Sequence, residues 1–125
     1  MTQAVSIEPS RRVLPITVQI TEGTALTTEI DLRGYQLRGI IMPAGWTAAN
    51  LTFQASDKAG GTFQDVYDDA GTEVVVTAAA SRVIGVDKAA LRGLNHLKVR
   101  SGPSATPVLQ SSTRQLILLT AVALN

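Results

Sequence analysis

Five acidic residues lie close together between positions 57 and 73 and could supply the hard oxygen ligands that calcium prefers. Their spacing does not match the D-x-[DN]-x-[DN]-G loop of an EF-hand. In the alternative interpretation they belong to turns and a strand: Asp57 caps the turn that follows it, Asp65 points outward from a strand, and Asp68 begins a second turn. We expect this second interpretation and no metal site. The five residues are Asp57, Asp65, Asp68, Asp69 and Glu73.

His96 is the only histidine, so a Ser-His-Asp triad would have to be built around it. The residues that follow it, Leu97 to Val99, indicate a strand, and the G-x-S-x-G sequence of a nucleophile elbow does not occur. Gly34 and Gly39 form neither a G-x-G-x-x-G fingerprint nor a Walker loop. The sequence therefore predicts a protein that is not an enzyme, with no catalytic residue and no cofactor.

Five residues are candidates for contact with a partner. Trp46 lies in the Pro-Gly turn region "MPAGWTAAN", where its indole could stack on a sugar, anchor a protein contact, or close one end of the fold. Arg11 and Arg12 could pair with carboxylates of a neighbouring subunit. Val5 and Ile7 could add a short strand to the edge of a neighbour's sheet.

Composition excludes several classes of function. The chain has 125 residues, which is the usual size of one domain. The absence of cysteine excludes disulfides, thiolate nucleophiles and zinc-thiolate sites. Eleven basic and ten acidic residues give a net charge of +1, so no strong field favours nucleic acid or a membrane surface. We also expect no signal peptide and no membrane span.

The elements that would position these residues are short strands, because apolar and polar residues alternate between turn signals. Nine such segments at this spacing predict an all-β, antiparallel sandwich or barrel. The segments are Pro15 to Ile20, Leu26 to Leu32, Leu37 to Met42, Leu51 to Ala55, Phe63 to Tyr67, Glu73 to Ala78, Arg82 to Val86, Leu97 to Arg100 and Gln115 to Leu124.

Two segments depart from simple alternation. Residues 87–94 predict one or two helical turns, with Asp87 as N-cap and Gly93 as the stop. The apolar run Leu116 to Leu124 predicts a strand that is buried on both faces, or on one face by the core and on the other by a partner. We expect residues 1–12 to form a flexible arm and residues 13–125 to form one β-sandwich domain. We also expect a loosely held loop at residues 101–112.

The aromatic residues of the fourth and fifth segments give a prediction for the core. Phe53 is in phase with Leu51 and Ala55, so we expect it to be buried. Phe63 could pack beside it across the hairpin.

Two stretches resemble known families. The unit "NLTFQASDKAGGTFQDVYD" resembles the strand–turn–strand unit of galactose-binding-like (discoidin-like) jelly rolls, which implies a jelly-roll sandwich of about eight or nine strands. The longer series from Gly39 to Val108, including "GIIMPAGWTAANLTFQASDKAGGTFQDVYDDAGTEV", resembles small structural proteins of tailed bacteriophages.

The second resemblance implies a virion component, plausibly a capsid decoration (cement) protein that is assembled in the host cytoplasm and lies on the capsid surface. Its expected partners are the major capsid protein and copies of itself, and no catalytic residue is carried over. The first resemblance implies an alternative, a carbohydrate- or receptor-binding jelly roll of a phage tail or fibre.

Overall fold

A computed structural model describes residues 13–122, which fold into two antiparallel four-stranded sheets packed face to face. The strands are β1 (Val13–Ile20), β2 (Ile30–Asp31), β3 (Tyr35–Ile41), β4 (Leu51–Ser56), β5 (Gln64–Asp65), β6 (Val83–Gly85), β7 (His96–Ser101) and β8 (Arg114–Val122). The first sheet has the order β1-β8-β3-β6, and the second has the order β2-β7-β4-β5. The prediction of an all-β, antiparallel sandwich is confirmed.

The core lies between the two sheets, because one face of each strand carries apolar side chains. In the first sheet, Leu116 and Leu118 of β8 and Ile40 of β3 are fully buried. Phe53 of β4 and Val99 of β7 are fully buried in the second sheet, which confirms the predicted core position of Phe53. Burying each such side chain contributes roughly 1.5–3 kcal/mol.

Four predicted strands are shorter or absent. The segment Phe63 to Tyr67 forms only the two-residue β5, and Arg82 to Val86 forms only the three-residue β6. The segment Leu26 to Leu32 forms only the two-residue β2, with one isolated bridge between Leu26 and Arg100. The segment Glu73 to Ala78 forms no strand and is attached at single bridges, of which one joins Val76 to Leu51. Val74 and Val76 are nevertheless buried, so the alternation of this segment reflects packing on the core without a continuous ladder of hydrogen bonds.

The predicted helix is a single 3-10 turn, Ala89–Leu91, and Asp87 does not cap it. Lys88 occupies the N-cap position without a side-chain cap bond, while the Asp87 carboxylate accepts a hydrogen bond from Arg92 Nη2 at 2.9 Å. Gly93 has a φ of +81°, a left-handed conformation that ends the turn as predicted.

Phe63 does not pack beside Phe53, so that prediction is wrong. The β4–β5 register pairs Ala55 with Gln64 and therefore places Phe63 next to Ser56, on the face away from the core. There the Nζ atom of Lys98 lies 4.5 Å from the centroid of the Phe63 ring. A cation over an aromatic face is favourable at such a distance.

The segment 101–112 is held more firmly than its composition predicts. Gln110 is buried, and its side chain accepts a hydrogen bond from Thr47 N at 2.9 Å and donates one to Thr47 O at 3.1 Å. The backbone of Val108 donates to Ser101 O at 2.9 Å. The expectation of a loosely held loop is wrong at these points.

Candidate functional site

The middle of the outer face of the first sheet is apolar on all four strands, while Thr17, Gln19, Gln36 and Gln115 also face outward. Along β8, Ile117 and Leu119 lie between the buried residues Leu116, Leu118 and Thr120, so they point away from the core. The strand registers align them with outward residues of the neighbouring strands. We call this surface the sheet-one face; it consists of Val13, Pro15, Gly39, Ile41, Val83, Gly85, Ile117, Leu119 and Ala121.

Two of these residues are strongly exposed. The exposed fraction is 67% for Val13 on the edge strand β1 and 65% for Val83 on the opposite edge strand β6. Antiparallel sheets that face water on one side normally alternate apolar and polar residues, with the polar ones in solvent. The sheet-one face departs from this pattern along its whole width.

Charge is nearly absent from the strands of this sheet. Across the four strands, which the structure describes completely, the only charged residues are Arg38 and Arg114. Arg114 lies at the end of the sandwich, where its Nε atom donates to Gln110 Oε1 at 3.2 Å. Arg38 is exposed at a β-bulge between Leu37 and Gly39. No acidic side chain is present in these strands, and the uncharged polar side chains on their outer side, Thr17, Gln19, Gln36 and Gln115, lie beside the apolar residues of the sheet-one face.

The prediction for the apolar run of residues 116–124 can now be tested up to residue 122. The core covers one face of β8, whereas Ile117, Leu119 and Ala121 on the other face are half-buried. Burial on both faces within the domain is therefore wrong, and cover by a partner stays a prediction.

The outer side of the second sheet is polar by contrast, and Arg100 of β7 organises it. Its side chain is only 6% exposed. The guanidinium donates to Asp65 Oδ1 at 2.7 Å, to Glu73 Oε2 at 3.1 Å and to Thr52 Oγ1 at 2.9 Å. The hydrogen bond from Arg100 is the main reason why the pKa of Asp65 lies below its ordinary value of 3.8. This group, which we call the Arg100 cluster, has its donors occupied by protein groups and fits a structural role.

The acidic residues between positions 57 and 73 therefore take part in separate interactions. Asp68 accepts hydrogen bonds from Ala70 N and Thr72 N, both at 2.9 Å, which confirms its predicted turn role. Asp57 does not cap its turn, because the Ser56 hydroxyl takes that position and donates to Lys58 O at 2.9 Å. Within residues 13–122 no three His, Asp or Glu side chains converge as metal ligands would.

His96 has a Ser and an Asp as its cross-strand neighbours, although no catalytic relay joins them. The registers place Ser56 of β4 and Asp31 of β2 on either side of it. The Ser56 hydroxyl donates to Lys58 O, however, and Asp31 Oδ1 accepts from Arg33 N at 2.8 Å and from Asn95 Nδ2 at 3.1 Å. Among the described residues, His96 Nδ1 is buried without a hydrogen-bond partner.

Among the open cavities of residues 13–122, two are lined by several polar side chains. One, of about 640 Å³, is lined by carboxylates and by the 3-10 turn, including Asp68, Asp69, Glu73 and Asp87. The other, of about 550 Å³, is lined mainly by side chains that can form hydrogen bonds: Ser56, Asp57, Thr62, Gln64 and Asn95. A few hydrogen-bonding groups in an otherwise apolar cavity can fix the orientation of a bound small molecule.

Trp46 is partly buried and packs against the core. Its indole Nε1 donates to Ala49 O at 3.0 Å, so its polar group is satisfied within its own turn. The structure therefore favours the interpretation in which Trp46 closes one end of the sandwich, and contact with a partner through its exposed part stays a prediction. Val5, Ile7, Arg11 and Arg12 lie outside the described residues.

Sequence reasoning missed two features. The sheet-one face includes Val13, Pro15 and Val83, which were not candidates, although the apolar run of β8 was a signal for it. The Arg100 cluster was also missed; its only signal was an arginine within the apolar segment "LKVRS".

Comparison with known proteins adds no relative: no family model, curated protein or solved structure matches the chain. No helix within residues 13–122 is long and apolar enough to cross a membrane.

Proposed function

We propose that this protein is a non-enzymatic structural component of a tailed-phage virion, of the capsid decoration (cement) type. Its partners are the major capsid protein and copies of itself, and its place is the capsid surface. The observation that carries the structural part of this proposal is the sheet-one face, because an apolar surface across the middle of a sheet favours contact with protein over contact with water. The virion assignment is supported by the sequence resemblance.

The energetics of decoration suit a small domain with such a surface. A protein that binds a symmetric shell in many copies gains avidity from neighbouring copies, so each contact needs only modest affinity. Apolar contacts also depend little on ionic strength, because salt screens charges and not buried apolar area. A decoration protein of this kind would keep its contacts between copies at high salt.

The number of copies in purified virions tests the proposal. Quantitative mass spectrometry of virions that carry this gene should find the chain at hundreds of copies per particle, because a shell offers its binding site at every symmetric position. A handful of copies would indicate a tail or fibre component, and absence of the chain from virions would refute the proposal.

A carbohydrate- or receptor-binding module of a tail or fibre is the second candidate. The polar cavity that includes Gln64 and Asn95 favours it, since hydrogen-bonding groups around an open cavity can orient a sugar. A glycan array would test it, with Gln64→Ala as the variant that should lose binding and Ser112→Ala, at an exposed position near the opposite end of the sandwich, as the control. Binding to no glycan, together with hundreds of copies per virion, would exclude this candidate.

A further inference from the structure

We propose that the sheet-one face binds a second copy of this chain in a twofold-symmetric dimer. The inference deepens the proposed function and rests on its premise that this face is covered by protein. The strand register, the positions of Gly39 and Gly85, and the size of the face support a second copy of the chain as the partner.

The first step is that the two halves of the face differ in a complementary way. One row of residues runs across all four strands in register: Pro15 of β1, Leu119 of β8, Gly39 of β3 and Gly85 of β6. The β1–β8 half of this row carries side chains, and the β3–β6 half carries only glycines. We relate the two copies by a twofold axis that runs parallel to the strands between β8 and β3. This axis places the β1–β8 half of each copy over the β3–β6 half of the other copy.

The second step concerns the space above the glycines. A Cβ atom added at Gly85 would meet no atom within 4 Å, so the space above Gly85 is open. The proposed axis places Pro15 of the second copy over this space. Gly39 is already covered within the chain, because an added Cβ there would lie 3.3 Å from Leu119 Cδ1. The open position is therefore at the β6 edge, where the second copy can fill it.

The next row of the face agrees with the same axis. It contains Thr17, Ile117, Ile41 and Val83, again in register across the sheet. The axis brings Ile117 against Ile41 of the second copy, which buries apolar surface on both sides. It brings Val83 against Thr17 of the second copy, whose methyl group is apolar.

Charge does not oppose this packing. The sheet-one face has no carboxylate that burial would strand, and Arg38 lies beside it, at a level of β3 beyond the last residue of β6. A long arginine side chain at such a margin can cover apolar surface while its guanidinium stays in water.

The size of the face predicts the strength of the dimer. The nine residues of the face and Thr17 occupy ten outward positions of about 4.8 by 6.7 Å each, which gives a footprint of roughly 320 Å² per copy. Two copies would bury about 640 Å², which is below the usual size of stable specific interfaces. We therefore expect a weak, concentration-dependent dimer with a dissociation constant in the upper micromolar range.

The oligomeric state of the full chain tests the proposal. In sedimentation equilibrium from about 1 to about 200 µM, the mass should rise from 13.2 kDa toward twice that value. Gly85→Glu and Val83→Lys each put a charge into the apolar contact and should weaken the dimer at least about tenfold. Thr28→Lys, at an exposed position away from the first sheet, should leave dimerisation unchanged. Far-UV circular dichroism verifies that each variant is folded.

Cross-linking tests the axis itself, and the absence of native cysteine makes the experiment clean. A mixture of Thr17→Cys and Val83→Cys chains, treated with a short thiol cross-linker, should give covalent dimers. Thr17→Cys alone should give few covalent dimers, because the two copies of Thr17 would be three strand spacings apart laterally and one sheet spacing apart vertically, a backbone distance of about 17 Å.

Several results would overturn the proposal. These are a monomer over the whole concentration range, a trimer or larger assembly, a dimer that both charged variants leave intact, or equal cross-linking by Thr17→Cys alone. The virion copy number is measured independently. A monomer that is present at hundreds of copies per virion would refute the dimer and support the proposed function. A dimer that is absent from virions would support the dimer and refute the proposed function.

Discussion

Replacing Arg100 by methionine should strongly destabilise the domain. The side chain is 6% exposed and donates hydrogen bonds to Thr52, Asp65 and Glu73. Methionine has a similar length and no polar group, so the substitution removes the cation and its donors while roughly preserving packing volume.

The size of the expected stability loss depends on the carboxylates of Glu73 and Asp65, which lose their partner in Arg100→Met. The side chain of Glu73 is only 16% exposed, and without Arg100 its remaining hydrogen bond is from Ser104 N at 3.2 Å. Removing one partner of a buried ion pair costs about 3–5 kcal/mol, because the other charge stays buried without compensation. Asp65 adds less, since it is 34% exposed and water can solvate it. We expect a loss of about 4 kcal/mol in the free energy of unfolding, or roughly 15 °C in Tm for a domain of this size.

Equilibrium unfolding in urea measures this loss, followed by fluorescence of the single tryptophan and by circular dichroism. Trp46 packs against the core and should therefore report its unfolding. Adding Glu73→Gln to Arg100→Met should recover part of the stability, because Glu73 is the most buried carboxylate of the cluster and glutamine removes its unpaired charge. A loss below about 1 kcal/mol, or no recovery in the double variant, would refute a buried ionic cluster.

Three further predictions concern the core, the pH dependence and the arm. Phe53→Ala should cost at least about 3 kcal/mol in urea unfolding, because the ring is fully buried; a loss below about 1 kcal/mol would contradict its core position. The hydrogen bond from Arg100 lowers the pKa of Asp65, so ionised Asp65 stabilises the fold fully above its ordinary pKa of 3.8. This contribution is lost as the pH falls through the lowered pKa. Asp65→Asn should therefore be less stable than the natural chain in unfolding experiments above pH 3.8, and the difference should disappear below the lowered pKa. Deleting residues 2–12 should leave Tm nearly unchanged but weaken retention on virions, and the loss should be larger at low salt than at high salt if the arginines contribute, because salt screens their ion pairs; an unfolded product would show that the arm is part of the domain.

Alternation along the chain was enough to predict the sandwich and its central core residue. A residue in a strand faces one side or the other with a period of two, so the position of Phe53 in phase with Leu51 follows from local sequence. The Asp68 turn could also be predicted, because its hydrogen bonds reach only to Ala70 and Thr72. These features depend on residues that are near each other in the sequence.

Features that depend on strand pairing could not be predicted in this way. Phe63 was a candidate to pack beside Phe53 across the hairpin, but a shift of one residue in register moves a side chain to the opposite face of a sheet. The ion pairs of Arg100 join it to Asp65 and Glu73, which are 35 and 27 positions away. Local sequence does not specify which distant residues share a face.

The residues of β8 show that the strand is apolar on both sides, but the pattern does not tell which side the folded domain covers. The core takes Leu116 and Leu118, while Ile117 and Leu119 lie on the sheet-one face between β1 and β3. The physical reason is that a hydrophobic pattern specifies that a residue prefers burial, whereas the packing of the second sheet determines where burial is available.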